Sequence, residues 1–145
     1  MRRLIPGHNL SKEEINLIPE AIFWLIVARL KVSFVPSGRW IEYFGRTGIK
    51  GQSSVFPNGA ELKIHEIPIV VRGLSLRMPW QSTCMVESLA THYMLQKRKV
   101  PHKIHFGVKK DAKNKLEAHA WLSVGDLVII GLENLDEFIE LRPIT

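Results

Sequence analysis

Two residues combine a type and a place suited to acyl-transfer chemistry: Cys84, the single cysteine, and His119, one of six histidines. Cys84 lies two residues after Ser82, a good N-cap, and Met85, Val86, Leu89, Ala90, Tyr93 and Met94 follow at helical spacing. The pattern predicts a helix whose first turn holds the thiol. Unpaired backbone N–H groups and the positive dipole end favour thiolate there, and the same groups can hold the oxyanion of a tetrahedral intermediate. A small buried cysteine that only packs fits the same position equally well.

His119 sits in the strand-like run Ala118-His119-Ala120-Trp121, on the face opposite the apolar alternation of Ala118, Ala120 and Leu122. Its alanine neighbours leave room for close approach, and Trp121, two positions on, can shield a Cys–His pair from water and wall the substrate pocket. A histidine merely exposed on a sheet has the same spacing. The other histidines offer less. His92 lies two turns down the Cys84 helix, about 12 Å away, too far to act as its base. His102 and His105 fall on opposite faces of a strand, so with one cysteine in the chain a metal site is not expected. His8 and His65 have no informative neighbours, and no Gly-rich phosphate loop is present. Just before the nucleophile, Gln81 is a candidate side-chain donor to an oxyanion hole shared with the Cys84 N–H, and Trp80 is either a pocket wall or plain packing.

Those residues need elements to position them. Ser11 with Glu14 forms a capping box, and Ile15, Ile18, Ile22, Leu25 and Ile26 recur at helical spacing, so a helix is predicted from Lys12 to about Phe34, kinked at Pro19. Its middle is apolar nearly all round, which implies burial against the protein or a partner. A short helix is predicted over 38–44, a long loop over 46–60, and a further helix from near Ile67, where Pro68 can occupy the first turn. Beyond Pro101 the period drops to two. Ile104, Phe106 and Val108 mark one strand and Ala118 to Val124 another, and Gly125-Asp126 is a hairpin turn into Leu127 to Ile130. Phe138 to Leu141 closes the chain as a last strand or helix. Helices followed by an antiparallel sheet read as an α+β fold in a single domain over 1–145, with a helical part over 1–60 and a catalytic core over 61–145.

Composition narrows the setting. The chain has 145 residues, a hydrophobic content of 46% and a formal charge of +6. Much of the excess charge falls in Lys97-Arg98-Lys99 and in Lys109, Lys110, Lys113 and Lys115, a helix end and a hairpin loop that read as solvated surface. No aromatics interleave with these charges, so a nucleic-acid partner is not expected. The longest apolar run, Ala21 to Ala28, is too short for a membrane span, and a lone thiol without a signal peptide suggests a cytoplasmic protein.

Together, Pro79-Trp80-Gln81-Ser82-Thr83-Cys84, Leu89-Ala90, Met94-Leu95, Ile104-His105-Phe106-Gly107-Val108 and Ala118-His119-Ala120-Trp121-Leu122 resemble one family. They are similar to the leader peptidases of lasso-peptide biosynthesis, a branch of the transglutaminase-like cysteine proteases related to the microcin-processing protease. Pro19-Glu20-Ala21 through Ala28-Arg29-Leu30 and Pro36 is similar to that family's leading helix, so the resemblance covers almost the whole chain. It implies a transglutaminase-like, papain-like fold and a cofactor-free protease. A separate small leader-recognition protein would deliver the precursor peptide, and an ATP-dependent synthetase would close the macrolactam ring. Cys84 would attack the scissile carbonyl, with His119 as general base and acid.

The same pair also serves a transglutaminase or amidase, and a degraded, peptide-binding module is a further alternative. Many members of the family place an Asp twelve residues after the histidine, where this chain has Gly131. Asp126 cannot replace it, being about 20 Å away along the strand. With a two-residue turn, Leu132 lies opposite His119. Glu133 then faces the other way unless a bulge intervenes, and Asn134 has the favourable parity. The expected third member is therefore Asn134, Glu133 or a backbone carbonyl, or the site is a dyad.

Overall fold

The computed structural model describes residues 9–36, 39, 60–80 and 83–141. Among them, three helices, α1 (Lys12–Phe34), α2 (Ala60–Ser75) and α3 (Cys84–Lys97), precede an antiparallel sheet of β1 (Lys103–Lys110), β2 (Leu116–Val124), β3 (Leu127–Ile130) and β4 (Ile139–Glu140), in the order β3-β2-β1-β4. This is the α+β arrangement expected from the order of the periodicities. The helix expected over 38–44 and the loop expected over 46–60 lie outside the described residues, apart from Arg39 and Ala60.

At the start of α1, Ser11 accepts from the Glu14 N–H and the Glu14 carboxylate accepts from the Ser11 N–H. The helix continues through Pro19. Its buried face is Leu17, Ala21, Leu25 and Ala28, whereas Ile15, Ile22 and Ile26, expected on the apolar stripe, are exposed. On a helix apolar all round, periodicity cannot choose the face. The alanines decide it, because their short side chains let α2 and α3 approach closely.

Helix α2 begins seven residues earlier than expected, at Ala60, and holds Pro68 in its interior. Proline there removes one backbone hydrogen bond at a cost of about 3 kcal/mol. Ile64, Ile67, Val70, Val71 and Leu74 form one buried face across the proline, and that burial offsets the loss. The helix end of α3 is tied to α1 by a two-pronged ion pair: Arg98 donates through Nη1 and Nη2 to the Glu20 carboxylate at 2.8 and 2.7 Å. This hydrogen bonding holds the Glu20 carboxyl below its ordinary range against the opposing effect of burial. A carboxyl that titrates lower folded than unfolded stabilises the fold above its unfolded range, and that stabilisation disappears as pH falls through the folded value. Glu20→Gln is therefore expected to lower stability by about 1 kcal/mol at about pH 7, with the gap narrowing as pH falls below the ordinary carboxylate range in paired thermal melts.

Helix α3 packs on the sheet, mainly on β2, and Leu89 and Ala90 of the helix, Phe106 of β1, and Ala120 and Leu122 of β2 belong to the buried core. Gly125, at φ +59°, makes the expected turn and pairs Val124 with Leu127. One step further the ladder slips. Ser123 pairs with Val128 but Leu122 pairs with Ile130, so Ile129 is an extra residue in β3. The bulge shifts everything that follows β3 by one position relative to β2.

Candidate active site

The nucleophile's helix is capped by Thr83, whose hydroxyl accepts from the Val86 N–H, and not by Ser82. Ser82 and Gln81 lie outside the described residues, so the expected Gln81 oxyanion donor falls there too. With Thr83 as cap, Cys84 is the first helical residue, one place closer to the dipole end than expected. The charge state does not follow from that placement alone. Burial pushes the half-buried Cys84 thiol above its ordinary value. The backbone polar groups of Ala120, Met85 and Cys84 oppose this, and the Glu87 carboxylate, one turn along, adds to the rise. The resting residue is a thiol that needs a base. Its alkylation by iodoacetamide is therefore expected to keep accelerating beyond about pH 8.5, the ordinary thiol range, whereas a preformed thiolate would give a rate already flat below it.

His119 points its ring at the chain leaving β3. Nε2–H donates to the Gly131 carbonyl at 2.7 Å. A carbonyl only accepts, so in the neutral ring the proton is on Nε2 and Nδ1 carries the lone pair. Gly131 holds φ +80°, and a Cβ there would lie 2.5 Å from the Ala120 oxygen and 2.8 Å from the Trp121 Cβ. Only glycine brings the carbonyl this close. The bulge in β3 does intervene, yet the Glu133 carboxylate is paired with Arg72. Asn134 adopts the left-handed region at φ 54° and opens a short turn over Leu135–Glu137. Neither takes the place beside His119. That place belongs to the Gly131 carbonyl.

Cys84 and His119 line one cavity of about 330 Å³ together with Thr83, Met85, Phe106, Gly107, Val108, Ala118, Ala120 and Leu141. No hydrogen bond joins the two side chains in this state. Among the described residues no charged side chain lines the cavity, and Met85, Phe106, Val108 and Leu141 make its wall apolar.

Trp121, expected as a pocket wall and water shield, is buried and does not line the Cys84 cavity; it stacks beside His119 at 5.9 Å between ring centres, and Phe138 flanks His119 at 4.8 Å. Space for the Trp121 ring comes from Gly107, where a Cβ would meet it at 2.8 Å. Trp80 has its indole N–H buried without a partner among the described residues.

Two histidine arrangements were not visible in the sequence. His105 bonds the Glu140 carboxylate through Nδ1 and the Ser123 hydroxyl through Nε2, and its ring lies 3° from parallel to Trp121. These bonds join β1, β2 and β4 beside the Trp121 ring. Separately, His92 Nδ1 and His102 Nε2 share a hydrogen bond of 2.7 Å, and burial pushes His92 down to about 3. Among the described residues no group of three or more His, Cys, Asp or Glu is placed to hold a metal, and no helix is long and apolar enough to cross a membrane.

Residues 34–142 match a family model described as the transglutaminase-like superfamily. No curated protein and no solved structure matches the chain.

Proposed function

The chain belongs to the transglutaminase-like superfamily, generally cysteine proteases or transferases, and from that premise we propose that it is a cysteine peptidase that removes the leader from a lasso-peptide precursor. The observation that carries the catalytic part is the shared cavity of Cys84 and His119, with the His119 tautomer set by the Gly131 carbonyl. In this reading Nδ1 takes the thiol proton as Sγ attacks the scissile carbonyl. The N–H groups at the start of α3 receive the oxyanion. Nδ1–H then protonates the leaving amine, the carboxy-terminal product departs with that amine, and the amino-terminal part stays on sulfur as a thioester. Water, deprotonated by the same nitrogen, hydrolyses the thioester and restores the thiol.

The substrate and partners rest on the resemblance of the Pro79–Cys84 and Ala118–Leu122 segments. A precursor peptide, a small leader-recognition protein and an ATP-dependent macrolactam synthetase are the partners proposed, in a cytoplasmic setting without cofactor or nucleic acid. The apolar wall of the cavity supports an uncharged side chain next to the scissile bond. Mass analysis of a leader–core precursor incubated with the protein tests the reaction. Two peptides whose masses sum to precursor plus water support peptidase action. A cross-linked or deamidated product assigns the site to transglutaminase or amidase chemistry instead, and unchanged cleavage by Cys84→Ala removes the catalytic reading.

A further inference from the structure

We infer that Arg72 is a positioning residue that clamps the nucleophile's helix to the segment whose carbonyl orients His119. The inference rests on the cysteine-hydrolase reading above. Arg72 lies on α2, none of whose described side chains lines the Cys84 cavity. One arm of its guanidinium, Nη1, meets the Glu87 carboxylate at 3.2 Å, and the other, Nη2, pairs with Glu133. Glu87 is one turn beyond Cys84 on α3, and Glu133 is two residues beyond Gly131. A single rigid cation therefore spans from one half of the site to the other.

Three features make this more than a surface ion pair, whose usual worth is small. First, Glu87 is buried, and its second oxygen accepts from the Ser75 hydroxyl, so the inner end of the clamp is fixed before Glu133 engages. Second, the fork geometry of arginine addresses two carboxylates at once, which a lysine ammonium on a flexible stem does not reproduce. Third, the outer segment has room to move. A space of about 230 Å³ separates it from α2, lined by Pro68, Ile69 and Arg72 on one side and Ile130, Gly131 and Glu133 on the other. Apolar packing does not fill that gap, so while Ala120 and Trp121 bound Gly131 on the sheet side, the Arg72–Glu133 pair anchors the exposed chain that follows it on the α2 side and steadies its carbonyl. Burial holds the Glu87 carboxyl above its ordinary value, and the Ser75 hydroxyl and the Arg72 guanidinium offset that rise only in part.

The test uses the full chain, with p-nitrophenyl acetate as acyl donor and imidazole ¹⁵N–¹H correlation spectra, His119 being assigned by loss of its signals in His119→Asn. Glu133→Gln cuts the outer pair at an exposed position. It is expected to lower kcat about tenfold at unchanged KM and to turn the single Nε2–H tautomer of His119 into a mixture. Arg72→Lys, which keeps a charge beside Glu87, is expected to do the same. Wild-type kcat and an unchanged His119 spectrum in both variants overturn the inference, as does a lower melting temperature with kcat of the folded protein intact. If Cys84→Ala hydrolyses the ester as fast as the wild type, the hydrolase reading fails, and the tautomer alone decides on the clamp.

Discussion

Exchange of Gly131 for aspartate is expected to lower kcat about 100-fold, although it supplies the acid that many members of the resembling family carry at this place. The native backbone is at φ +80°, and a Cβ would fall 2.5 Å from the Ala120 oxygen and 2.8 Å from the Trp121 Cβ. Neither neighbour is a flexible chain end: one is backbone of the strand that carries His119, the other the root of the tryptophan stacked beside it. The segment must move away to admit any side chain, and the carbonyl now 2.7 Å from Nε2 moves with it. Gly131→Ala is expected to lose nearly as much. That pair of variants separates two accounts of the site. If the carbonyl is the orienting group, alanine and aspartate fall together, and the His119 tautomer becomes mixed in both. If an acid is simply missing, aspartate rises above wild type while alanine falls, and the carbonyl's role is wrong.

How far the sequence reveals this site depends on the range of the forces involved. Local chemistry is legible: the Ser11–Glu14 capping box, the helix carrying Val86, Leu89 and Met94, the strand period of β1, and the Gly125-Asp126 turn all follow from neighbours a few residues apart, whereas β2 is exposed at Ala118 and buried without alternation from Ala120 to Val124. The sequence points to a cap one residue too early for the nucleophile's helix, because Ser82 and Thr83 are both competent caps and only the backbone decides between them. Pro68 reads as a start signal, yet tertiary burial of Ile64 and Ile67 holds the helix on its far side. The partner of His119 was hidden for a deeper reason. Its place is set by a bulge in β3, and a backbone carbonyl has no residue type to search for. Arg72, Glu87 and Glu133 lie far enough apart in the chain that no spacing rule connects them.

Replacement of His119 by alanine is expected to have the largest effect of all, a fall in kcat of about 10⁴-fold or more, as when the base of a nucleophile–base pair is removed. A loss that large alone would not separate base from scaffold, because His119 also fills space between Trp121 and Phe138. The thiol provides the discrimination. Burial is the foremost influence raising Cys84, and its other influences come from Ala120, Met85, Glu87 and its own backbone. Iodoacetamide reacts with whatever thiolate exists at a given pH and needs no proton donor for a leaving amine. In His119→Ala its pH–rate curve should therefore keep the wild-type midpoint, while turnover collapses across the whole range. A midpoint displaced upward by a unit or more would mean that His119 held the thiolate as an ion pair in the resting protein. The thiol ground state argued from burial would then be wrong. An unmoved midpoint with lost turnover assigns His119 to proton transfer during the reaction. That step requires the two side chains, now on the walls of one cavity without a hydrogen bond between them, to close when substrate enters.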